Sequence, residues 1–271
     1  MRMKKFSTLL LSLALGSTLA AQTPKFTPDH DGALLDGKTI VKANITSPIF
    51  KNYSFAAERI LTKGLSLQLG IATMPKGALP FSSSFENHIG HDVSMSSVKL
   101  QSFYVTPELR WYTGGGYGHG FYLMAYYRYQ NYKLSGYTLK MDVREGASST
   151  DKPVALDLTG DFKTNSFGFG LGAQWLFGRN KNIVLDWNIL GVHAGKGKLT
   201  LAGDYSSTTG LTDKEIEDLQ QQISGNVSDL PTIKLTDQDV NVDKASKKVS
   251  IDNVSTPWAW LRASVSLGFR F

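Results

Sequence analysis

Apolar and polar residues alternate along several separated stretches of this chain, and the last fourteen residues do so most cleanly. From Trp258 to Phe271, Ala259, Leu261, Ala263, Val265, Leu267, Phe269 and Phe271 share one face. Trp258, Trp260, Arg262, Ser264, Ser266, Gly268 and Arg270 share the other. Successive side chains of a strand point to opposite faces, so a period of two predicts a strand with one apolar and one polar side. The same period recurs over 40–47, 53–61, 65–73, 103–112, 121–130, 166–177 and 183–190. Pro107, inside the fourth stretch, removes a ladder donor and predicts a bulge there.

Eight such strands, apolar outward and polar inward, predict an all-β fold: an eight-stranded antiparallel transmembrane β-barrel with long extracellular loops, one containing a short helix. Connection lengths segregate in the same sense. The links 62–64, 113–120 and 178–182 are short and fall on one side, whereas 74–97, 137–161 and 194–257 are long and fall on the other; only 48–52 breaks the rule. A soluble antiparallel barrel or sandwich also alternates, but with an apolar core face and a heavily charged exposed face. Here the polar faces are rich in Gly, Ser and Gln with isolated Arg and Glu, and Trp111, Tyr129, Trp175 and Trp187 stand where interfacial aromatic rings are expected.

The N-terminus adds a location. Arg2, Lys4 and Lys5 precede an apolar run from Leu9 to Leu19, with Thr18 and Ala20 spaced for a signal peptidase. The expected organisation is a cleaved signal over 1–20, a lead segment over 21–38, and a barrel over 39–271 that includes an extracellular insertion, 194–257. The 271 residues carry 29 basic and 23 acidic side chains, a formal +6. Loss of the signal's three basic residues leaves about +3, so a nucleic-acid partner is not expected. Zero cysteines exclude disulfides, thiol chemistry and a lipoprotein anchor. No later stretch has the length of apolar residues a membrane helix needs. The expected location is the cell outer membrane, with both barrel ends periplasmic and with outer-membrane lipid and lipopolysaccharide as partners.

Strand parity places Glu58, Glu108, Arg110, Arg128, Asp186, Arg262 and Arg270 inside. A ring of eight strands is filled by its side chains, so these charges are expected to pair across it, Arg110 and Arg128 against Glu58 and Glu108. The other reading is a narrow, low-conductance channel, because buried ionisable groups also mark ion paths.

The insertion 194–257 is too long for a plain connection. Thr212, Asp213, Lys214 and Glu215 form a capping box, and Leu211, Ile216, Leu219 and Ile223 give a helical stripe, predicting a helix over 213–224. Val240, Val242, Val249 and Ile251 predict a hairpin after it. With ten acidic and seven basic residues, this stretch reads as a solvated surface able to meet an extracellular protein or glycan. Asp237, Asp239, Asn241 and Asp243 offer oxygens at every second residue, but the Gly and terminal Glu of a calcium loop are missing. His88, His91 and Asp92 have ligand-like spacing without a fourth partner. The glycines from Gly114 to Gly120 lack the ending and following helix of a phosphate loop. No metal and no cofactor are expected.

The segments 104–112, with Glu108 and Arg110, and 120–129, together with terminal Phe271 and the early segment 44–61, resemble an uncharacterised family of OmpA-like eight-stranded outer-membrane barrels of Bacteroidota. The resemblance implies insertion by the barrel-assembly machinery, with Phe271 as assembly signal. It offers no catalytic residues, and the soluble domain of full OmpA proteins has no counterpart here. The function expected is a structural or extracellular binding or adhesion role carried by long surface loops. The alternative from another class is a lipid A-modifying enzyme built on His193, which lies on the outward parity of the seventh strand without a Ser partner in sequence. The expectation is therefore that the protein is not an enzyme.

Overall fold

The computed structural model describes residues 37–78, 98–145, 150–207, 209–228 and 239–271. Nine strands and one α-helix follow one another: β1 (Thr39–Asn44), β2 (Tyr53–Ile60), β3 (Leu65–Ala78), β4 (Lys99–Tyr112), β5 (Gly120–Val143), β6 (Lys152–Phe177), β7 (Ile183–Ser207), α1 (Asp213–Ser228), β8 (Val240–Asp243) and β9 (Lys248–Arg270). They form one antiparallel sheet in the order β1-β2-β3-β4-β5-β6-β7-β9-β8. β1 also pairs with β9, Ile40 to Asn44 against Arg270 to Ser266.

The sheet is lopsided. β1 and β2 have 6 and 8 residues, β3 and β4 have 14 each, and β5, β6, β7 and β9 have 24, 26, 25 and 23. The pairing that returns β9 to β1 therefore occupies one end only. Val265 still accepts from the Ile45 N–H at 2.9 Å; from Ser264 back towards Lys248, β9 keeps β7 on one side, and on the other, among the described residues, it pairs only with β8 at Lys248 to Ile251.

This architecture corrects the expected eight-stranded transmembrane β-barrel. The sheet has nine strands, and the ring of pairings does not form a barrel. A tilted membrane-crossing strand takes about 9–11 residues, less than half the length of β5, β6, β7 or β9. The expected loops 137–161 and 194–257 are largely strand and helix, so a frame presenting long surface loops is not what forms. The transmembrane strands, the outer-membrane location with periplasmic ends, and the partners read from them are withdrawn with that barrel. Those partners were outer-membrane lipid and lipopolysaccharide, the assembly machinery, and an extracellular protein or glycan at 194–257. The described helices include none long and apolar enough to cross a membrane.

β6 shows why one sheet carries two kinds of packing. Its even-numbered residues point inward throughout. Near its C-terminal end these are Thr164, Ser166 and Gln174, all buried, while outward Phe167 and Phe169 are 71% and 69% exposed. Near its N-terminal end the inward residues are Val154, Leu156 and Leu158, and outward Asp157 and Thr159 are exposed. The lower half is thus polar inside and apolar outside, the inverse of a water-facing sandwich. The upper half is an ordinary apolar core in which Val143, Tyr205, Val249 and Ile251 join the three β6 residues. Leu219 and Ile223 of α1 and Val240 of β8 close it, and removing these side chains from water is what holds the lobe together.

α1 begins as its sequence predicts. Thr212 Oγ1 accepts from the Glu215 N–H at 3.3 Å, and Glu215 Oε2 accepts from the Thr212 N–H at 2.8 Å, a reciprocal cap. The helix runs four residues past the predicted 224. At Pro107 no bulge forms. Val105 faces Tyr129 and Glu108 faces Tyr126 in unchanged register, while the other edge keeps Pro107 opposite Leu69. The missing donor is met by leaving the rungs at 106 and 107 unpaired on the β5 side.

Candidate functional site

Inside the lower half, three cations and three carboxylates from five strands meet. Lys42 of β1 donates from Nζ to Glu58 Oε2 at 2.6 Å, to Asp186 Oδ2 at 2.7 Å and to Gln174 Oε1 at 2.9 Å. Arg110 donates from Nη1 to Asp186 Oδ2 at 2.8 Å and from Nη2 to Glu108 Oε2 at 3.2 Å. Arg262 donates from Nη1 to Glu108 Oε1 at 2.5 Å. Two phenols complete the set: Tyr112 donates to Glu58 at 2.6 Å and Tyr122 to Asp186 at 2.7 Å. Arg110 also sits 4.4 Å from the Tyr122 ring centroid. Burial by itself pushes the Glu58, Glu108 and Asp186 carboxyls up. The cations outweigh it, Lys42 and Arg110 at Glu58, Arg262 and Arg110 at Glu108, Arg110 and Lys42 at Asp186, and hold all three below the usual carboxylate range. The cluster is charge-balanced, bonded on nearly every side and 0–5% exposed except at Arg262, which makes it a plug.

The next tier up is not balanced. Tyr126 is its hub: the Arg262 and Arg128 guanidinium carbons lie 5.4 and 5.9 Å from its ring centroid, and its hydroxyl lies 3.3 Å from His193 Nδ1. Arg128 donates through Nε to Thr106 Oγ1 at 3.1 Å and stands 5.4 Å from the Tyr104 ring. It forms no ion pair among the described residues, and burial followed by repulsion from Arg262 lowers its pKa to about 10. His193 is 3% exposed, and its Nε2 has no hydrogen-bond partner. Burial, Arg128 and Arg262 push the imidazole down to about 4, so it is neutral near pH 7. A Tyr126 hydroxyl donating to Nδ1 leaves the proton on Nε2. Above the tier, Trp258 donates from Nε1 to Gln130 at 3.2 Å and packs on Phe162 and Tyr132. Trp260 lies parallel to Trp258 at 6.1 Å and is 65% exposed. A groove of about 690 Å³ borders the same stretch, lined by outward Phe167, Phe169, Val192 and Leu261 together with His193 and Trp260.

Of the charged residues read as inward, Glu58, Glu108, Arg110, Asp186 and Arg262 are brought together. Arg128 lies one tier higher, bonded to Thr106 rather than to a glutamate. Arg270 lies at the lower end, donating from Nε to the Gly37 carbonyl. Phe271 continues the β1–β9 ladder, its N–H donating to the Thr39 carbonyl at 3.0 Å, and its ring stacks on Phe269. His193 is inward, not outward. β7 holds one extra residue near Ile189 relative to both β6 and β9, and this bulge exchanges the two faces for everything after it. Among the described residues, His193 bonds no serine and no carboxylate, and Tyr126 is its one hydrogen-bonding partner.

Asp243 is engaged in a turn, accepting from the N–H groups of Ala245 and Ser246 and from the Ser246 hydroxyl. Asp239 and Asn241 precede it, and the described residues contain no group of side chains able to hold a metal ion. Asp237, His88, His91 and Asp92 lie outside the described residues, as do the expected signal over 1–20 and most of the lead segment. Sequence reasoning missed Lys42, Gln174 and the tyrosine hydroxyls. Lys42 was legible, since it stands on the polar face of the first alternating stretch.

No family model matches the chain, and no curated protein matches it. One solved structure, Acinetobacter baumannii CarO, is similar at a TM-score of 0.36 and 14% identity, over 86% of this chain and 97% of that one. A likeness of that size carries no argument, and the comparisons do not support the particular Bacteroidota family named from sequence.

Proposed function

We propose that this protein is a non-catalytic binding protein, in which the plug is structural and the cationic tier above it receives a ligand. The observation that carries the reading is the contrast between two adjacent tiers. The lower has three cations against three carboxylates, every one of them in an ion pair. Among the described residues, the upper has Arg128 without a carboxylate partner, His193 Nε2 without a hydrogen-bond partner, and an exposed Trp260 opposite His193 on β9. Among the described residues the one hydrogen bond of His193 is to Tyr126, whereas catalysis there would call for a nucleophile and an orienting carboxylate. The resemblance to OmpA-like proteins of Bacteroidota survives here as sequence likeness in 104–112 and 120–129, whose inward Glu108, Arg110 and Arg128 are residues this reading uses.

The absence of cysteine provides a direct test. Single variants Trp260→Cys and Ser66→Cys are treated with a charged thiol reagent, in mild detergent to cover the apolar exterior. Trp260→Cys is expected to react completely and Ser66→Cys, at a fully buried plug position, only after unfolding. An inert Trp260→Cys would refute an accessible tier, and a reactive Ser66→Cys would refute the plug.

A further inference from the structure

We propose that the Arg128–Arg262–His193 tier binds a small organic carboxylate whose acid group sits on a planar aromatic body. The inference rests on the binding role above and adds the chemical class. Charge comes first. Lys42, Arg110 and Arg262 are matched by Glu58, Glu108 and Asp186, so Arg128 is one cation in excess inside a protein wall. Arg128 is half-buried, and a charge partly withdrawn from water without a counter-charge is a place where an anion gains. Arg128 uses Nε on Thr106, which leaves both terminal nitrogens of a planar fork, the geometry that fits a carboxylate with two parallel bonds.

The second observation is independent of that count. His193 is almost wholly buried, its Nδ1 is engaged by Tyr126, and its Nε2 is an orphan. Buried polar groups are nearly always bonded, and His193 Nε2, one of the few exceptions among the described residues, is the one that lies beside two guanidinium groups. In the tautomer in which the Tyr126 hydroxyl donates to Nδ1, the Nε2 N–H is a donor, and a carboxylate oxygen is an acceptor. All three side chains converge on Tyr126, which places them in one tier and not scattered through the interior.

The body of the ligand follows from what surrounds the cations. Tyr104 and Tyr126 already carry guanidinium groups, and Trp258 is covered by Tyr132 and Phe162. Trp260 is covered on one side by Trp258 and is otherwise exposed, a flat apolar surface open for stacking. A ring joined to a carboxylate satisfies both parts; a bare inorganic anion satisfies only the first.

The probe is benzoate, compared with benzamide, which keeps the ring and lacks the charge, and with acetate, which keeps the charge and lacks the ring. Binding to the detergent-held full chain is read by tryptophan fluorescence and by the rise in unfolding temperature. Benzoate is expected to saturate and to bind at least tenfold more tightly than either comparator. Arg128→Gln is expected to weaken benzoate at least tenfold, with Arg128→Lys in between. Without ligand, Arg128→Gln is expected to unfold at the same temperature as the parent or higher, which a merely structural arginine would not do. Benzamide equal to benzoate would overturn the anion site, and acetate equal to benzoate would overturn the aromatic part. An Arg128→Gln protein that binds normally, or that fails to fold, would overturn the role of Arg128. If Trp260→Cys is accessible while benzoate does not bind, the ligand class fails and the binding role stands; if Trp260→Cys is inert, the binding role itself has failed.

Discussion

Replacing Lys42 with Met asks whether the plug holds the sheet together. Lys42 makes the two shortest lysine contacts in the cluster, 2.6 Å to Glu58 and 2.7 Å to Asp186, and binds Gln174 as well. Its removal changes the balance from three cations and three carboxylates to two and three, in a space where water cannot replace the lost bonds. Breaking a buried pair from one side costs about 3–5 kcal/mol, because the surviving charge stays buried. That is a large part of the ~5–15 kcal/mol by which domains are stable. At roughly 2–4 °C per kcal/mol for a chain of this size, it corresponds to a fall of roughly 6–20 °C in the unfolding midpoint. Circular dichroism during heating in detergent, with a denaturant series beside it, measures the change. Asp186→Asn added to Lys42→Met restores two cations against two carboxylates and is expected to recover at least half of the loss. A single-variant change within the ~1 kcal/mol typical of an exposed pair, or a double variant no better than the single, would refute the plug.

Acid should weaken the fold in two windows. Glu58 and Glu108 are held below the ordinary 4.5, so the stability they add is present above that value and lost as pH falls through their folded values. His193 titrates at about 4 when folded and near 6.5 when unfolded, so the unfolded chain takes its proton first and stability declines between those pH values. His193→Gln is expected to remove the higher window alone, read as urea midpoints at pH 7 and pH 5. Gly168→Ala is expected to destabilise by about 1–3 kcal/mol, since its new Cβ would lie 2.5 Å from Tyr126 Cζ and from the Val192 carbonyl. Gly114→Ala, with nothing within 4 Å, is the control and should unfold as the parent does. Leu219→Ala, at a fully buried position of α1, is expected to cost about 2–5 kcal/mol and to speed proteolysis within the upper lobe.

The sequence carried the short strands well because their alternation is uninterrupted. β2 begins at Tyr53 and β3 at Leu65, as the pattern predicts. The upper halves of β5, β6 and β7 escaped because their polarity runs the other way: Asp157 and Thr159 face out where Phe167 and Phe169 do lower down. A reader expecting apolar residues outside sees such a stretch as loop. The capping box and stripe of α1 were legible, since both lie within a few residues of one another. His193 was misplaced by a bulge that no Gly or Pro announces in its own strand before Gly191. The plug was read as inward charges, but its partners were not: which guanidinium meets which carboxylate depends on strand heights that alternation does not encode.

The reversal within β6 means that no uniform rule of tolerated substitution applies along a single strand. An aspartate is at home at 157, and the same residue at 169 would stand among phenylalanines. A serine fills the interior at 166, whereas at 156 it would open a hole in an apolar core. Mutational maps of this protein should therefore show two opposed preference patterns that exchange near Phe162 to Thr164, and the level of that exchange can be located by substitution alone.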